Sequence, residues 1–380
     1  MGNWENMQVI RLAMALALGL LPLYSMAWGF WAHQRINRLA VFTLPGEMLV
    51  LYKKHIDYLT NHAVDPDMRR YAVEGEAARH FIDLDRYGTY PYPELPRRWD
   101  EAVAKFSEDT LQAHGIVAWE LPRQVWRLKE AFEQRDLRRI LKLSADLGHY
   151  VGDAHVPLHT TKNYNGQLTG QKGIHGFWES RLPELFADQY DFWVGRCFYV
   201  DSLNAMSWRI VMESHVAVDS VLGMERELND RFPADRKYGY ESRNNVVMRM
   251  YSRDYSAAYH AMMDNMVERR MRASVRRVGA YWYTAWKLAG SPDLSELAKQ
   301  PLIEEQEPFP IRLKINDRES QEIGCCMPGA ECIAPASYAE LVRRAWTMPR
   351  PVSPKPAKIP FWEVALYTLK ANPVWGWLPG

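Results

Sequence analysis

The 380-residue sequence lacks the features by which several classes of protein are recognised. Only four residues are cysteine, which excludes a small scaffold built on disulfide bonds. Lys and Arg number 47 and Asp and Glu 46, so no excess charge of one sign is available to bind duplex nucleic acid by bulk electrostatics. The chain has neither a glycine-rich phosphate loop nor an internal repeat of about 20–50 residues. A hydrophobic content of 47% excludes a disordered chain and leaves a globular protein.

Residues 1–27 have the pattern of a secretory signal peptide. Arg11 precedes an apolar run from Leu12 to Tyr24, and a Ser-Met-Ala sequence of the small-x-small cleavage type follows. The alternative is an uncleaved signal anchor, because no charged residue occurs between Leu12 and Ala32 and this stretch is long enough to span a bilayer. The cleavage site favours removal of the segment. We therefore expect an exported protein, periplasmic or secreted, whose mature chain begins at Trp28.

The C-terminal part is rich in proline, since 12 of the 23 prolines lie in residues 301–380. Such a density does not suit packed helices. We therefore interpret residues 28–290 as one helical domain and residues 291–380 as an irregular extension. Residues 360–378 form an amphipathic aromatic stretch, which either packs against the protein's own domain or touches a membrane surface.

Export would also allow disulfide bonds among the four cysteines. Cys325 and Cys326 are adjacent and Cys332 follows closely, so one arrangement is a small loop closed by a disulfide near residues 325–332. The spacing leaves the pairing, including that of Cys197, open.

Helical periodicity dominates the predicted domain. Apolar residues recur at helical spacing, with charged residues between them, in residues 120–150, 204–224 and 252–289. Strict alternation of apolar and polar residues is scarce, and residues 86–98, rich in Tyr, Pro and Arg, read as a loop. The pattern predicts an all-α fold.

Two pairs of metal-capable side chains have helical i, i+4 spacing. His149 and Asp153 form the first pair, and His175 and Glu179 the second. Such spacing puts both side chains on one face of a helix, one turn apart, where they can meet the same ion. One such pair alone is more often an ordinary hydrogen-bonded pair on a helix surface.

Further candidate ligands lie near these pairs. Pro157 breaks the first helix and His159 follows it, while Asp65 and His80 lie 15 residues apart upstream. Imidazole nitrogen and carboxylate oxygen together suit zinc. The combination predicts a metal site more strongly than any pair does by itself.

Two motifs resemble a known superfamily. The run HYVGDAHVPLH, residues 149–159, resembles the core motif of the superfamily that joins zinc-dependent phospholipases C with single-strand-specific nucleases. The run WGFWAH, residues 28–33, resembles the mature N-terminus of the nucleases. The resemblance implies the all-α, multi-helix fold of these enzymes and three zinc ions per chain.

The resemblance also implies a ligand set for each ion. The first site resembles one made by Asp65, His80, His149 and Asp153. The second resembles one made by His33, the far oxygen of Asp153, and the α-amino nitrogen and carbonyl oxygen of Trp28. The third resembles one made by His159, His175 and Glu179. An α-amino group is a ligand only when it is free, so the second site requires cleavage before Trp28.

The sequence departs from the superfamily pattern near these ligands. Val156 stands where Gln is usual, and His155 beside it either orients a ligand or is a satisfied buried histidine. The usual Arg three residues past the ligand Asp appears as Arg69, four past Asp65, so Asp67 remains a rival for the ligand role. We predict that Arg69 clamps phosphate through its paired donors; the alternative is an ordinary surface arginine.

Three zinc ions would give the site a strong local charge. Their +6 is opposed by −3 from the ligand carboxylates Asp65, Asp153 and Glu179, which leaves +3 to attract phosphate. The resemblance implies hydrolysis of a phosphodiester by a zinc-activated hydroxide that attacks phosphorus, with Asp153 bridging two ions and Asp65 orienting the water.

The two branches of the superfamily differ in substrate, and the sequence has features of both. The Trp-x4-His start resembles the nucleases, whereas Glu179 and the short interval from His159 to His175 resemble the phospholipases. The arginines of residues 269–277 either track a polynucleotide or form a solvated helix face. We favour a phospholipase C-like activity with transient contact to a membrane surface and no implied protein partner. The alternatives are a single-strand-specific nuclease or 3′-nucleotidase and a non-catalytic exported zinc-binding protein.

Overall fold

The computed structural model of the chain describes residues 29–243 and 246–302. Helices dominate this part of the chain, which confirms the all-α prediction. In chain order the α-helices are α1 (Phe30–Ala40), α2 (Gly46–Lys54), α3 (Ile56–Asn61), α4 (Asp65–Arg69), α5 (Trp99–Phe106), α6 (Glu108–His114), α7 (Val117–Glu133), α8 (Leu137–Ala154), α9 (Ile174–Gly176), α10 (Leu182–Phe186), α11 (Leu203–Val216), α12 (Val218–Arg231), α13 (Arg253–Met262), α14 (Met266–Leu288) and α15 (Ser295–Lys299).

Several predictions fall outside the described residues. These are the signal peptide with Trp28, the cysteines Cys325, Cys326 and Cys332, and the aromatic stretch 360–378. Cys197 is described and forms no disulfide there. Among the described residues, none of the helices combines the length and apolar character needed to cross a membrane.

The long antiparallel pair α7 and α8 forms the centre of the fold. Sequence periodicity predicts one helical stretch over 120–150, but the structure divides it at residues 134–136. Arg135 adopts a left-handed backbone with φ of 53°, and the Asp136 side chain accepts a hydrogen bond from the Arg139 amide at 3.0 Å. This bond caps the start of α8. The helix ends at Ala154, just before Pro157.

The helix α14 packs across α1, α7 and α8 and closes the core. Its Trp282 is completely buried and donates its indole N–H to the Ser144 carbonyl of α8 at 2.9 Å. The predicted helical stretch 252–289 is divided into α13 and α14 at Asp264 and Asn265, which have φ of 45° and 58°. Likewise the stretch 204–224 consists of α11 and α12, which meet at Ala217.

Two smaller features complete the described fold. Strands β1 (Tyr238–Arg243) and β2 (Val246–Tyr251) form an antiparallel hairpin with Tyr238 opposite Tyr251. Residues 86–98 contain no α-helix, as predicted. The boundary after residue 290 stays a prediction; beyond it the helix α15 follows, and Leu294 and Leu297 are buried.

Two glycines allow close helix contacts. A Cβ at Gly148 of α8 would lie 2.1 Å from the Asn37 Oδ1 of α1, and Asn37 donates to the carbonyls of Leu59 and Ala145. A Cβ at Gly279 of α14 would lie 1.9 Å from the Thr43 Oγ1. These contacts hold α1 against α8 and α14, and α1 carries His33.

We predict that Gly279→Ala lowers the free energy of unfolding by about 1–3 kcal/mol, because the added methyl group overlaps the buried Thr43. Gly223→Ala is the matched control, since Gly223 lies on α12 with open space around its Cα. Its substitution should raise the free energy of unfolding by about 0.5–1 kcal/mol through helix propensity. Equal effects in urea denaturation would contradict the close contact.

Candidate metal centre

Helix α8 places His149 and Asp153 on one completely buried face. The His149 Nε2 lies 3.1 Å from the Asp153 Oδ2, as the i, i+4 spacing predicts. The His149 Nδ1 donates to the Ala63 carbonyl at 2.8 Å. This bond fixes the tautomer and leaves the Nε2 lone pair turned towards Asp153.

Two further histidines approach Asp153 from other segments. His33 of α1 stacks on His149 with a centroid distance of 3.8 Å, and its Nε2 is 3.3 Å from the Asp153 Oδ1. His80 ends the 3₁₀ turn Ala77–His80, and its Nδ1 is 2.9 Å from the Asp153 Oδ2. The two oxygens of Asp153 therefore face different imidazoles.

The structure brings Asp67, and not Asp65, to this group. The Asp67 Oδ1 lies 3.6 Å from the His80 Nδ1 and 3.7 Å from the His149 Nε2. The Asp65 Oδ2 instead lies 2.6 Å from the Nδ1 of His62. Both aspartates lie in α4, where two residues are separated by about 200° of rotation, so their side chains point in nearly opposite directions. These contacts favour Asp67, the rival that the sequence left open, over Asp65 as the ligand.

A separate group contains the last three predicted ligands. The Glu179 Oε2 lies 2.9 Å from the His175 Nε2 and 3.4 Å from the His159 Nε2. His159 lies in the 3₁₀ turn Pro157–Thr160, and its Nδ1 donates to the His80 carbonyl at 2.7 Å. Glu179 lies in a π-helical turn, Phe177–Arg181. The His159 Nδ1 is 3.8 Å from the Asp153 Oδ1, so the two groups are neighbours.

The loop between His159 and His175 is held by its own polar side chains. The Asn163 Oδ1 accepts a hydrogen bond from the Leu168 amide at 2.8 Å. The side-chain amide of Gln171 donates to the Leu222 carbonyl at 2.8 Å and to the Glu225 carboxylate at 2.6 Å. The loop therefore fixes the two histidines at its ends relative to each other.

The first described residue, Gly29, lies near the group that contains Glu179. Trp28 itself lies outside the described residues. A Cβ at Gly29 would lie 2.6 Å from the Ser180 Oγ, and Ser180 follows Glu179 directly. The backbone at Gly29 therefore passes beside the turn that carries Glu179.

The polar atoms of these groups fit metal ions. Within the described part of the chain, several buried atoms make no hydrogen bond: both ring nitrogens of His33, both oxygens of Asp67, the Asp153 Oδ1 and the His159 Nε2. An unsatisfied buried polar group costs about 1–3 kcal/mol, so such a concentration needs a partner. Three sets of ligand atoms lie within 4.8 Å of one another: His33–Asp67–His149, His80–His149–Asp153 and His159–His175–Glu179. Their nitrogen and oxygen donors suit zinc.

Without a metal, the pKa values of these groups are set by burial and by the charges of their neighbours. Burial lowers the pKa of His149, but Asp153 and Asp67 outweigh burial and raise it to about 9. Burial raises the pKa of Asp153, but the charges of His149 and His159 bring it well below its ordinary value. Burial and the charge of His149 lower the pKa of His33 to about 4. Metal binding at His149 therefore requires the loss of a proton.

The donors of Arg69 are engaged by neighbouring side chains, which argues against the predicted phosphate clamp. Its two terminal nitrogens donate to both oxygens of Asp146 at 3.0 Å, and one of them also reaches the Tyr150 hydroxyl at 2.9 Å. The same nitrogen lies 3.1 Å from the Glu76 Oε1. These contacts engage the donors that would clamp a phosphate, and the side chain is only 11% exposed. Arg69 is also not the ordinary surface arginine of the alternative.

His155 is a satisfied buried histidine. Its Nδ1 donates to the Val151 carbonyl at 2.6 Å, and its Nε2 accepts from Arg277 at 3.1 Å. The arginines of residues 269–277 are also largely paired. Arg277 lies 2.7 Å from Glu213, and Arg272 lies 2.9 Å from Asp191. They therefore offer little free charge to a polynucleotide.

The fold and the site together define a helical metalloprotein with adjacent histidine–carboxylate clusters. A model of the zinc dependent phospholipase C family matches residues 32–240, which is more than half of the chain. The chain therefore belongs to this family. Membership confirms the predicted family.

Solved structures of two toxins are similar to this chain. The alpha-toxin of Clostridium perfringens from avian strain SWCP is 12% identical, with a TM-score of 0.41 over 70% of this chain and 65% of the toxin chain. The alpha toxin of Clostridium absonum is 13% identical, with a TM-score of 0.38 over 68% and 64%. This chain thus spans slightly less than two thirds of each toxin. No curated protein matches the sequence significantly.

We predict that Asp67→Asn lowers the zinc content by about one ion per chain, because a buried ligand carboxylate becomes a neutral amide. Asp65→Asn is the matched control in the same helix, and it should keep the zinc content and the activity of the wild type. Native mass spectrometry measures the zinc content of the two variants, and an assay with bis-p-nitrophenyl phosphate measures their activity. The reverse result would return the ligand role to Asp65.

Proposed function

We propose that this protein is an exported phospholipase C that uses three zinc ions to hydrolyse a phosphodiester. The position of Asp153 carries the proposal. Its carboxylate lies between the imidazoles of His33, His80 and His149, and 3.8 Å from the His159 that belongs to the neighbouring group. A buried carboxylate in this position can serve two metal ions at once, as hydrolysis at a multi-metal centre requires.

The ligands fall into three sets. The first ion would be held by Asp67, His80, His149 and the Asp153 Oδ2. The second would be held by His33, the Asp153 Oδ1 and the free N-terminus of Trp28. The third would be held by His159, His175 and Glu179. The third set offers three protein ligands, which leaves a position for water or substrate and argues against a purely structural role.

The chain's own residues supply the remaining requirements of the reaction. Zinc, when bound, acts as a Lewis acid that offsets negative charge on a phosphodiester and promotes the ionisation of water. The carboxylates of Asp67, Asp153 and Glu179 reduce the net charge of the centre to +3, which still attracts a phosphate. Both oxygens of Asp67 are free of hydrogen bonds within the described residues, so one could hold an ion while the other would orient the attacking water and accept its proton.

A phospholipid is the substrate that the observations favour. The chain belongs to a family of phospholipases C, and the arginines that would follow a polynucleotide are largely engaged by acidic partners. A phospholipid is presented at a lipid surface, so the proposal includes transient contact with a membrane. The exposed Tyr90 and Leu168 suit this contact. Tyr90 lies two residues before Tyr92, whose hydroxyl is hydrogen-bonded to His215, and His215 is hydrogen-bonded to Thr160. Leu168 lies in the loop that follows Thr160. The start of this loop is held by Asp85, which accepts hydrogen bonds from the Thr161 hydroxyl and the Lys162 backbone amide.

We predict that the zinc-loaded mature protein hydrolyses phosphatidylcholine vesicles faster than single-stranded DNA, RNA or 3′-nucleotides. His149→Ala and Asp153→Asn should each lower the rate with bis-p-nitrophenyl phosphate by about 1000-fold, because several kcal/mol of charge stabilisation is lost. His155→Gln is a control from the same motif and should keep the zinc content. Preference for nucleic acid would favour the nuclease alternative, and zinc binding without turnover would favour the non-catalytic one.

Export is supported by the signal-peptide pattern and by the chemistry of the second ligand set. The α-amino group of Trp28 is free to bind a metal ion only after cleavage of the chain before Trp28. We predict that N-terminal sequencing of the exported protein finds Trp28 first. A chain with one extra residue before Trp28 should lose about one zinc ion and most of its activity, because its α-amino group is displaced. Full zinc content and activity of the extended chain would exclude the N-terminus as a ligand.

A further inference from the structure

A buried polar network lies behind His80. We call it the Glu76 network; its members are Arg69, Glu76, Arg79, Asp146 and Tyr150. Glu76 and Tyr150 are completely buried. None of the five is a predicted zinc ligand, and the reaction described above does not use them.

The contacts of the network are short and mutual. Arg69 binds both oxygens of Asp146 at 3.0 Å and donates to the Tyr150 hydroxyl at 2.9 Å. The Tyr150 hydroxyl donates to the Glu76 Oε1, and Arg79 donates to the Glu76 Oε2 at 2.8 Å. Two arginines thus face two carboxylates, so the network has no net charge.

The network joins the three segments that carry the ligands of the first ion. Arg69 belongs to α4, as does Asp67. Glu76 immediately precedes the turn Ala77–His80, and Asp146 and Tyr150 belong to α8 together with His149 and Asp153. The ion pairs therefore fix these segments relative to one another on the side away from the ligand atoms.

Glu76 also faces the outer nitrogen of His80. The His80 Nδ1 points to Asp153 and His149, at 2.9 and 3.1 Å. The His80 Nε2 lies 3.8 Å from the Glu76 Oε1 and has no hydrogen bond within the described residues. When Nδ1 binds a metal ion, the ring proton is on Nε2, and the Glu76 carboxylate faces that nitrogen just beyond hydrogen-bond distance.

Glu76 is suited to this position because its carboxylate is held by three donors. Arg79 donates to Oε2 at 2.8 Å, Arg69 lies 3.1 Å from Oε1, and the Tyr150 hydroxyl donates to Oε1. A carboxylate paired with arginines accepts hydrogen bonds, so it favours the tautomer of His80 in which Nε2 has the proton and Nδ1 has the lone pair.

We propose that Glu76 is a positioning residue that holds the His80 ring in the orientation and tautomer needed to bind the first zinc ion. A carboxylate behind a ligand histidine is typically worth a 10- to 100-fold difference in metal affinity, about what we expect here. The inference rests on the ligand role of His80 in the proposed function. A buried ion network that serves stability alone would leave the zinc affinity of a folded variant unchanged.

The test is a double-mutant cycle on the full-length mature protein. Glu76→Gln keeps the shape of the side chain and removes its charge, and His80→Ala removes the ring on which Glu76 would act. Zinc affinity is measured by competition with a chelator, with circular dichroism to confirm folding. We expect Glu76→Gln alone to weaken, by about 10- to 100-fold, the same zinc site that His80→Ala weakens, and to have no further effect in the His80→Ala background.

Two controls separate positioning from general destabilisation. Glu74→Gln makes the same charge change at an exposed position of the same segment. Glu225→Gln removes a buried carboxylate that binds Lys237, Tyr255 and Gln171. Both should keep the affinity of the His80 site, and Glu225→Gln should lower the melting temperature.

The outcomes distinguish two failures. If His80→Ala leaves all zinc affinities unchanged, His80 is not a ligand and the proposed site is wrong. If His80→Ala weakens one site but Glu76→Gln does not, or if the two effects are additive, His80 remains a ligand and the role of Glu76 is overturned. Nitrogen chemical shifts of His80 give an independent readout, because loss of Glu76 should mix its two tautomers.

Discussion

The structure depends on placing one carboxylate, Asp153, where no water reaches it. Such a charge is tolerated in a protein interior only when other groups compensate for it. Here the imidazoles of His33, His80 and His149 compensate for the charge of Asp153. They belong to three separate segments, which the packing of the helices brings together. Gly148 lets α1 approach α8 so closely that His33 stacks on His149. The close packing of the core and the burial of the Asp153 charge therefore depend on each other.

Much of the site could be predicted from the sequence because its central elements are local. His149–Asp153 and His175–Glu179 follow from helical spacing alone, and the structure brings each pair together. Asp65 and Asp67 could not be separated in this way. Their order along the chain is clear, but the rotational position of α4 depends on how Arg69 binds Asp146, 77 residues away. That contact belongs to the tertiary structure, and it also explains why Arg69 is not available to a phosphate.

The fold class was predictable for the same reason, whereas the ends of the helices were not. Hydrophobic periodicity continues across residues 134–136 and across Asp264–Asn265, although the chain turns at both places. These turns use left-handed backbone at Arg135, Asp264 and Asn265, a conformation that non-glycine residues seldom adopt. One part of the Glu76 network is visible in the sequence: Asp146 and Tyr150 have i, i+4 spacing, which puts both side chains on one face of a helix. Nothing in the sequence joins that pair to Glu76.

The hydrogen bonds of two histidines have a consequence for the stability of the whole protein. The outer nitrogen of His149 is tied to the Ala63 carbonyl, and that of His159 to the His80 carbonyl. Each imidazole would thus connect a bound ion to the backbone of a different segment. Metal ions in this centre would act as cross-links, much as disulfides do in small secreted proteins, and their binding energy would become folding energy. A chain with only four cysteines would gain in this way cross-links that a chelator, and not a reductant, would remove.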